Sequence, residues 1–122
     1  MLKLLCGYKQ AWESKNVDSL RELFHTDALY YTTPFGAPLS GLSAIEEYWR
    51  TKVIPQSEIV FDVGRHVFLA PDVVFEWTAT FRRADRDIDY YLCGLMVWTI
   101  KEQKITRLWE HFTKQAKNRG VI

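Results

Sequence analysis

Two neighbouring residues near the end of the chain, Glu110 and His111, have the side chains best suited to acid–base chemistry. They lie in the segment ITRLWEHFTK, whose β-branched and aromatic residues predict a strand. A carboxylate whose pKa is raised by burial, or an imidazole that titrates near neutrality, can accept or donate a proton. Because neighbours in a strand point to opposite faces, only one of the two can face an interior site. The alternatives are a paired or exposed carboxylate at Glu110 and an interface or rim imidazole at His111.

The other residues with suitable chemistry do not form a recognisable metal or cofactor motif. His25, His66 and His111 are far apart in the sequence and lack the close spacing of metal ligands. The sequence contains no glycine-rich phosphate loop and no nucleophile elbow. We therefore expect neither a metal nor a cofactor.

Charge and composition exclude several classes of partner. Sixteen basic and 15 acidic residues give the 122-residue chain a formal net charge of +1. This balance does not provide the basic surface that binds nucleic acid or an anionic membrane. A basic cluster at Lys114, Lys117 and Arg119 is predicted to be a solvated tail.

Length and apolar patterning predict one domain spanning residues 1–122. No stretch approaches the ~18 apolar residues of a membrane-spanning helix. The N-terminal segment lacks the apolar region of a signal peptide. We expect a cytoplasmic protein in which Cys6 and Cys93 are reduced thiols.

The first 55 residues predict three helices. Four apolar residues at helical spacing indicate the first one: Leu4, Leu5, Tyr8 and Trp12. A second, short helix should follow Asp18, whose side chain can cap it. A third is predicted to begin at the capping box formed by Ser43 and Glu46 and to end before Pro55.

A strand-like segment, ALYYT, lies between the second and third helices. It is followed by a segment that we call the elbow, residues 34–41. The elbow contains four residues that favour turns: Pro34, Gly36, Pro38 and Gly41.

After Pro55 the pattern changes to that of long strands. Strands are predicted at 57–69, 72–82, 88–100 and 104–113. In the second of these, apolar residues from Phe75 to Phe81 alternate with polar residues, so one face should be buried. Helices followed by a mostly antiparallel sheet predict an α+β fold with two layers.

The strand at 88–100 is apolar on both faces. One face carries Ile88, Tyr90, Leu92, Met96 and Trp98, and the other carries Tyr91, Cys93, Leu95 and Val97. A sheet with helices on one side only should have a polar outer face. We therefore predict that a second subunit covers the outer face, which gives a homodimer.

The spacing of several residues resembles the nuclear transport factor 2-like superfamily, in its SnoaL-like and ketosteroid isomerase-like group. The resemblance covers nearly the whole chain and is carried by Tyr8, Trp12, Val17-Asp18, Leu23-Phe24, Asp27-Ala28, Pro34, Gly41 and Ile45. It implies a cystatin-like roll, in which a cone-shaped, strongly curved, mostly antiparallel sheet wraps around three N-terminal helices. It also implies a ligand cavity in the open cone, with the elbow at its mouth, and dimers formed through the outer sheet face.

The resemblance also implies roles for individual residues. Tyr8 matches the isomerase tyrosine that donates a hydrogen bond to the substrate oxyanion, and its alternative is a core aromatic. Glu110 matches an acidic residue that faces the cavity in SnoaL-like proteins. Thr33 stands where the isomerases have a catalytic aspartate, and a hydroxyl is too weak a base for that role. Steroid isomerisation by the usual route is therefore not expected.

Together these observations predict a domain that binds an apolar small molecule, such as a ring compound with a carbonyl group. The predicted cavity wall consists of Tyr8, Trp12, Tyr31, Thr33, Phe35, Trp49, Trp77 and either Glu110 or His111. An enzyme of this kind would transfer a proton next to the carbonyl, as isomerases, cyclases and lyases do, with Glu110 or His111 as base and Tyr8 as oxyanion donor. The alternative is a non-catalytic module for ligand binding, protein interaction or dimerisation. An open cavity with a buried acid–base group would favour catalysis, and a cone filled by aromatic residues would favour the alternative.

Overall fold

The computed structural model describes residues 2–118 and gives an α+β fold, as predicted. Within these residues the elements follow in the order α1 (Leu2–Ser14), a 3-10 turn (Val17–Ser19), α2 (Leu20–Leu23), β1 (Phe24–Tyr31), β2 (Leu39–Ser40), α3 (Leu42–Lys52), β3 (Gln56–Leu69), β4 (Asp72–Arg83), β5 (Ile88–Lys101) and β6 (Lys104–Asn118). The three predicted helices and the four long strands are all confirmed.

The strands form one curved, unclosed sheet in the order β2-β1-β6-β5-β4-β3. Neighbouring strands are antiparallel except β1 and β6, which are parallel. This mostly antiparallel sheet wraps around the helices and confirms the predicted cone fold. We call the face toward the helices the inner face and the opposite one the outer face.

Aromatic residues from the helices and the inner face form the centre of the core. Tyr8 of α1 lies within 6.2 Å, centroid to centroid, of four rings: Trp12, Trp49, Phe61 and Trp98. Two polar contacts fix α1 on β3. Lys9 Nζ donates to the carbonyl of Phe61 at 2.6 Å, and the backbone N–H of Phe61 donates to Glu13 Oε2 at 2.8 Å.

β5 and β6 approach each other closely at Gly94. Gly94 is paired with Phe112, and a Cβ atom added at Gly94 would overlap the carbonyl oxygen of His111. Only glycine allows the two backbones to come this close. The inner side chains on either side of this point, Leu92 and Met96, are both buried.

The predicted helix caps are not formed. The α3 helix begins at Leu42, and no side chain caps its first turn, so the capping box at Ser43 and Glu46 is wrong. Its start is set instead by Gly41, whose φ of 91° strongly favours glycine and whose N–H bonds the carbonyl of Ala28 on β1 at 2.8 Å. Asp18 likewise lies inside the 3-10 turn and does not cap α2.

The last strand is longer than predicted. β6 continues to Asn118, because β5 supplies pairing partners as far as Ile88. Lys114 and Lys117 are therefore strand residues and not part of a tail, whereas Arg119 lies outside the described residues.

Candidate functional site

A cavity of about 270 Å³ lies between α1, α3 and the inner face of the sheet. Its wall combines aromatic side chains with one acidic and several basic side chains. The lining residues are Tyr8, Trp12, Tyr30, Tyr48, Trp49, Lys52, Val53, Gln56, Trp77, Phe81, Arg83, Arg86, Tyr90, Leu92, Glu110, Phe112 and Lys114. The cavity has a buried end, formed by Tyr8, Tyr30, Tyr48 and Glu110, and an exposed mouth, formed by Lys52, Arg83, Arg86 and Lys114.

Glu110 is the acidic group of the buried end. β6 turns it inward in register with Met96 of β5, and only 6% of the residue is exposed. Burial raises the pKa of the Glu110 carboxyl from 4.5 to about 8. The Glu110 carboxyl is therefore mostly protonated at pH 7 and ionises at slightly alkaline pH. Such a carboxyl group can serve as a base or as an acid near neutrality.

Three tyrosine hydroxyls accompany Glu110. Burial, followed by the negative charge of Glu110, raises the pKa of Tyr48 to about 12 and that of Tyr8 still further. The pKa of Tyr30 is also raised well above its usual value, mainly by burial and then by Glu110. A hydrogen bond from Tyr30 opposes part of the rise at Tyr8. All three phenols are therefore neutral donors near one carboxyl group, which suits the binding of a carbonyl oxygen that becomes negative.

The middle of the cavity is lined by tryptophans. The indole N–H of Trp12 donates to Oε1 of Gln56 at 2.8 Å, which leaves the NH₂ group of that amide for other partners. The indole N–H of Trp77 is buried and has no hydrogen-bond partner within residues 2–118. A ligand with an acceptor oxygen could satisfy this donor.

The mouth is basic. The end of β4 supplies Arg83, the β4–β5 turn supplies Arg86, α3 supplies Lys52 and β6 supplies Lys114. Arg83 is paired with Asp85 through hydrogen bonds of 3.0 and 2.8 Å, which lower the pKa of that carboxyl group. The mouth therefore carries more positive charge than negative charge.

Five of the predicted site residues lie together on this cavity: Tyr8, Trp12, Trp49, Trp77 and Glu110. Four others lie elsewhere: Tyr31, Thr33, Phe35 and His111. His111 is exposed on the outer face, where its ring stacks on Trp109 at a centroid distance of 6.4 Å. The strand therefore turns Glu110 inward and His111 outward.

The assignment of Tyr31 to the cavity wall requires correction. Tyr31 is paired with Trp109 on the outer face and lies under the guanidinium of Arg107, 4.8 Å from the ring centroid. Its neighbour Tyr30 points inward, because adjacent strand residues alternate between faces.

Thr33, just before the elbow, and Phe35, within it, were also predicted to line the cavity. Both are exposed, Phe35 by 99%, and neither lines the cavity. β1 ends at Tyr31, and the elbow carries the chain away to pair β2 with β1, so the mouth lies among the basic residues of other elements.

The sequence analysis did not identify Tyr30, Tyr48 and Gln56 as cavity residues. Period-two alternation in β1 could have offered Tyr30 as readily as Tyr31. Tyr48 lies three residues after Ile45 on α3, so helical spacing places it near the buried side of that helix. No sequence signal separates Gln56 from an ordinary loop residue.

Residues 2–118 contain neither a cluster of metal ligands nor a membrane-spanning helix. No group of three or more His, Cys, Asp or Glu side chains is arranged to hold a metal ion there. In the same part of the chain, every helix is too short or too polar to cross a membrane.

Several solved structures share this fold at low sequence identity. A candidate SnoaL-like polyketide cyclase from Shewanella denitrificans is 16% identical, with a TM-score of 0.80, and the match covers 92% of this chain and 89% of that one. A protein with a ketosteroid isomerase-like fold from Catenulispora acidiphila, solved in complex with trimethylamine, is 14% identical, with a TM-score of 0.79 and coverage of 90% and 85%. A computationally designed 17-OHP binder is 13% identical, with a TM-score of 0.82 and coverage of 97% and 96%.

No curated protein sequence matches the chain significantly. The SnoaL-like domain model, however, matches residues 7–108, which include the second half of α1, all of α3 and most of the sheet. The cone fold and this match together agree with the resemblance seen in the sequence. The chain belongs to the SnoaL-like domain family.

Proposed function

We propose that the cavity binds a ring compound with a carbonyl group and that Glu110 transfers a proton at the carbon next to that carbonyl. The observation that supports this proposal best is the buried Glu110 beside three neutral tyrosine hydroxyls. The aromatic wall would hold the ring of the ligand, and the hydroxyls would hold its carbonyl oxygen.

The reaction follows from the protonation states of these groups. Ionised Glu110 takes a proton from the carbon, and the electron pair of the broken C–H bond moves to the carbonyl oxygen to give an enolate. Tyr8, with Tyr30 and Tyr48 beside it, donates hydrogen bonds to that oxygen. The Glu110 carboxylic acid then returns its proton to the same carbon or to a conjugated one. This sequence of steps is common to isomerases, cyclases and lyases that act through an enolate.

Two proteins of the same fold provide indirect support for ligand binding, because one is a designed 17-OHP binder and the other was solved in complex with trimethylamine. A non-catalytic binding or dimerisation module is the alternative. A cavity filled by its own aromatic residues would favour that alternative. The open cavity with a buried carboxyl group favours proton transfer instead.

We also propose a homodimer formed through the outer face. Apolar side chains run across four strands in one row, Val67–Val74–Val97–Trp109. On β5, Tyr91 and Leu95 are 49% and 44% exposed in the single chain. A second subunit would cover this surface. Two free, exposed thiols, Cys6 and Cys93, support a reducing compartment such as the cytoplasm.

Deuterium exchange tests the proposed reaction. 2-Tetralone, a bicyclic ketone that fits the cavity volume, is incubated with the protein in D₂O, and loss of the C1 proton signal is followed by NMR. We expect exchange to be faster than without protein, to rise with pH and to level off above about pH 8, where Glu110 is ionised. With the Glu110→Gln variant, 2-tetralone should exchange at the rate seen without protein. Equal rates for the variant and the wild type would refute the proposal.

A further inference from the structure

The mouth of the cavity carries a net positive charge that has no role in the proposed reaction. Of the four basic mouth residues, one is neutralised, because Asp85 pairs with Arg83. The nearby Asp87 is paired with Arg82 at 2.6 Å, away from the cavity. Glu110 is the one acidic residue among the lining residues described, and it lies at the opposite, buried end.

Three cations remain at the mouth. Arg86 and Lys114 lie on either side of Tyr90, with Arg86 Nη1 at 3.4 Å from the Tyr90 hydroxyl and Lys114 Nζ at 5.3 Å from the ring centroid. Lys52 is exposed at the end of α3 and belongs to the same lining. Converging cations beside an apolar wall attract an anionic ligand and raise its local concentration.

The middle of the cavity provides a second, independent observation. Trp77 is 2% exposed and lines the cavity, and its indole N–H has no hydrogen-bond partner within residues 2–118. A buried donor without an acceptor is unfavourable, so a ligand that provides an acceptor gains affinity there. Gln56 accepts the indole N–H of Trp12 at its amide oxygen, and the NH₂ group of the same amide adds a second donor to the cavity wall.

We propose that the ligand is an anionic ring compound that carries a carboxylate at the basic mouth and a carbonyl oxygen at the buried end. This inference rests on the proposed function and specifies its ligand class. The carboxylate meets Lys52, Arg86 and Lys114, while acceptor oxygens between the two ends meet Trp77. Because Glu110 is mostly protonated at pH 7, it does not repel such an anion.

A matched pair of probes tests the charge requirement. 6-Hydroxy-2-naphthoic acid and its primary carboxamide share a ring and a hydroxyl that stands in for the enol oxygen, and they differ in the negative charge. Isothermal titration calorimetry at pH 7 should give about tenfold tighter binding of the acid, as expected for a few partly exposed ion pairs. This preference should shrink when the salt concentration is raised.

Paired variants then locate the effect. In Lys52→Gln/Lys114→Gln the preference for the acid should fall from about tenfold to about twofold, because Arg86 is the one remaining cation of the three. The control, Lys3→Gln/Lys101→Gln, removes the same charge from two exposed lysines that do not line the cavity, and it should keep the preference. Trp77→Phe keeps an aromatic ring but removes the N–H, and it should weaken both probes about threefold to tenfold.

The outcomes separate this inference from the proposed function. If the wild type binds acid and carboxamide equally, or if the preference is undiminished in Lys52→Gln/Lys114→Gln, the anionic ligand is refuted while ligand binding stands. Equal affinities of Trp77→Phe and the wild type would remove Trp77 from the site. If neither probe binds, this inference fails together with ligand binding, and the deuterium exchange experiment tests proton transfer on its own.

Discussion

Two glutamates on the two faces of the sheet have pKa values shifted in opposite directions. On the inner face, burial raises the pKa of Glu110 to about 8. On the outer face, hydrogen bonds from Arg65 lower the pKa of Glu76 to about 2. Arg65 contacts both oxygens of Glu76 at 2.8 Å, so this carboxylate is ionised and paired. The sheet thus gives one residue type two different chemistries, and the difference comes from what covers each face.

The same contrast separates Glu110 from its own neighbour. Glu110 lies in the core with three tyrosine hydroxyls, whereas His111 is exposed beside Trp109. Histidine is the more usual acid–base residue near neutrality. Here the buried position favours the glutamate, because Glu110 lines the cavity on the inner face whereas His111 is exposed on the outer face.

The largest expected effect comes from substituting Glu110 and His111 one at a time and comparing the exchange rates of 2-tetralone. Glu110→Gln removes the proton acceptor with little change in shape, so exchange of 2-tetralone should fall by about 100-fold to 10,000-fold, toward the rate without protein. His111→Gln changes an exposed outer-face residue and should leave the rate within about twofold of the wild type, since His111 does not line the cavity. A large loss in His111→Gln would mean that the two faces are assigned the wrong way round.

A second prediction concerns stability as a function of pH. The folded pKa of Glu110, about 8, exceeds its unfolded value near 4.5, so the native state keeps a proton that the unfolded chain loses. Stability therefore falls as the pH rises from about 5 to 8 and is constant above that range. The loss should reach up to about 4 kcal/mol and should be absent in Glu110→Gln, as measured by urea denaturation at several pH values.

The outer-face glutamate supplies the control for this pH series. Glu76→Gln removes a carboxylate whose pKa is lowered, so it should leave the decrease between pH 5 and 8 unchanged. If Glu110→Gln and the wild type show the same pH dependence, Glu110 is not buried in its neutral form.

The fold could be predicted well from the sequence, because its signals are local. Period-two alternation in β4 and the apolar residues of β5 set the inner face, and both agree with the burial observed. Helix caps were predicted less well, since the position of Gly41 depends on β2 pairing with β1, a contact between distant residues.

The site could be predicted only in part, because it depends on register. The sequence left open whether Glu110 or His111 faces inward. Tyr31 was predicted to line the cavity, whereas the structure turns its neighbour Tyr30 toward it. A shift of one residue reverses every side chain of a strand. The basic mouth was missed because Lys114 was predicted to lie in a solvated tail and no sequence pattern connects it with Lys52, Arg83 and Arg86.

A third prediction concerns the exposed apolar residues of the outer face. Leu95 lies on β5, a central strand, and Leu95→Lys would place a charge on each copy within the proposed dimer interface. The dimer should dissociate about 100-fold more readily, since burying an unpaired charge is costly. Sedimentation velocity at micromolar concentration measures this change. The control Phe35→Lys adds the same charge on the exposed elbow and should leave the dimer intact. If the wild-type protein is itself monomeric, the proposed dimer is refuted.

The smallest predicted effect compares two tyrosines on opposite faces. Tyr8→Phe removes one hydroxyl from the buried end while Tyr30 and Tyr48 remain, so 2-tetralone exchange should fall by about tenfold to 100-fold, the usual cost of losing one hydrogen bond to a charged oxygen. Tyr31→Phe removes a hydroxyl from the outer face and should have no effect. If 2-tetralone exchanges as fast with Tyr8→Phe as with the wild type, Tyr8 is a core aromatic, and the oxyanion must be held by Tyr30 and Tyr48. The double variant Tyr30→Phe/Tyr48→Phe would then lose more of the exchange rate than Tyr8→Phe.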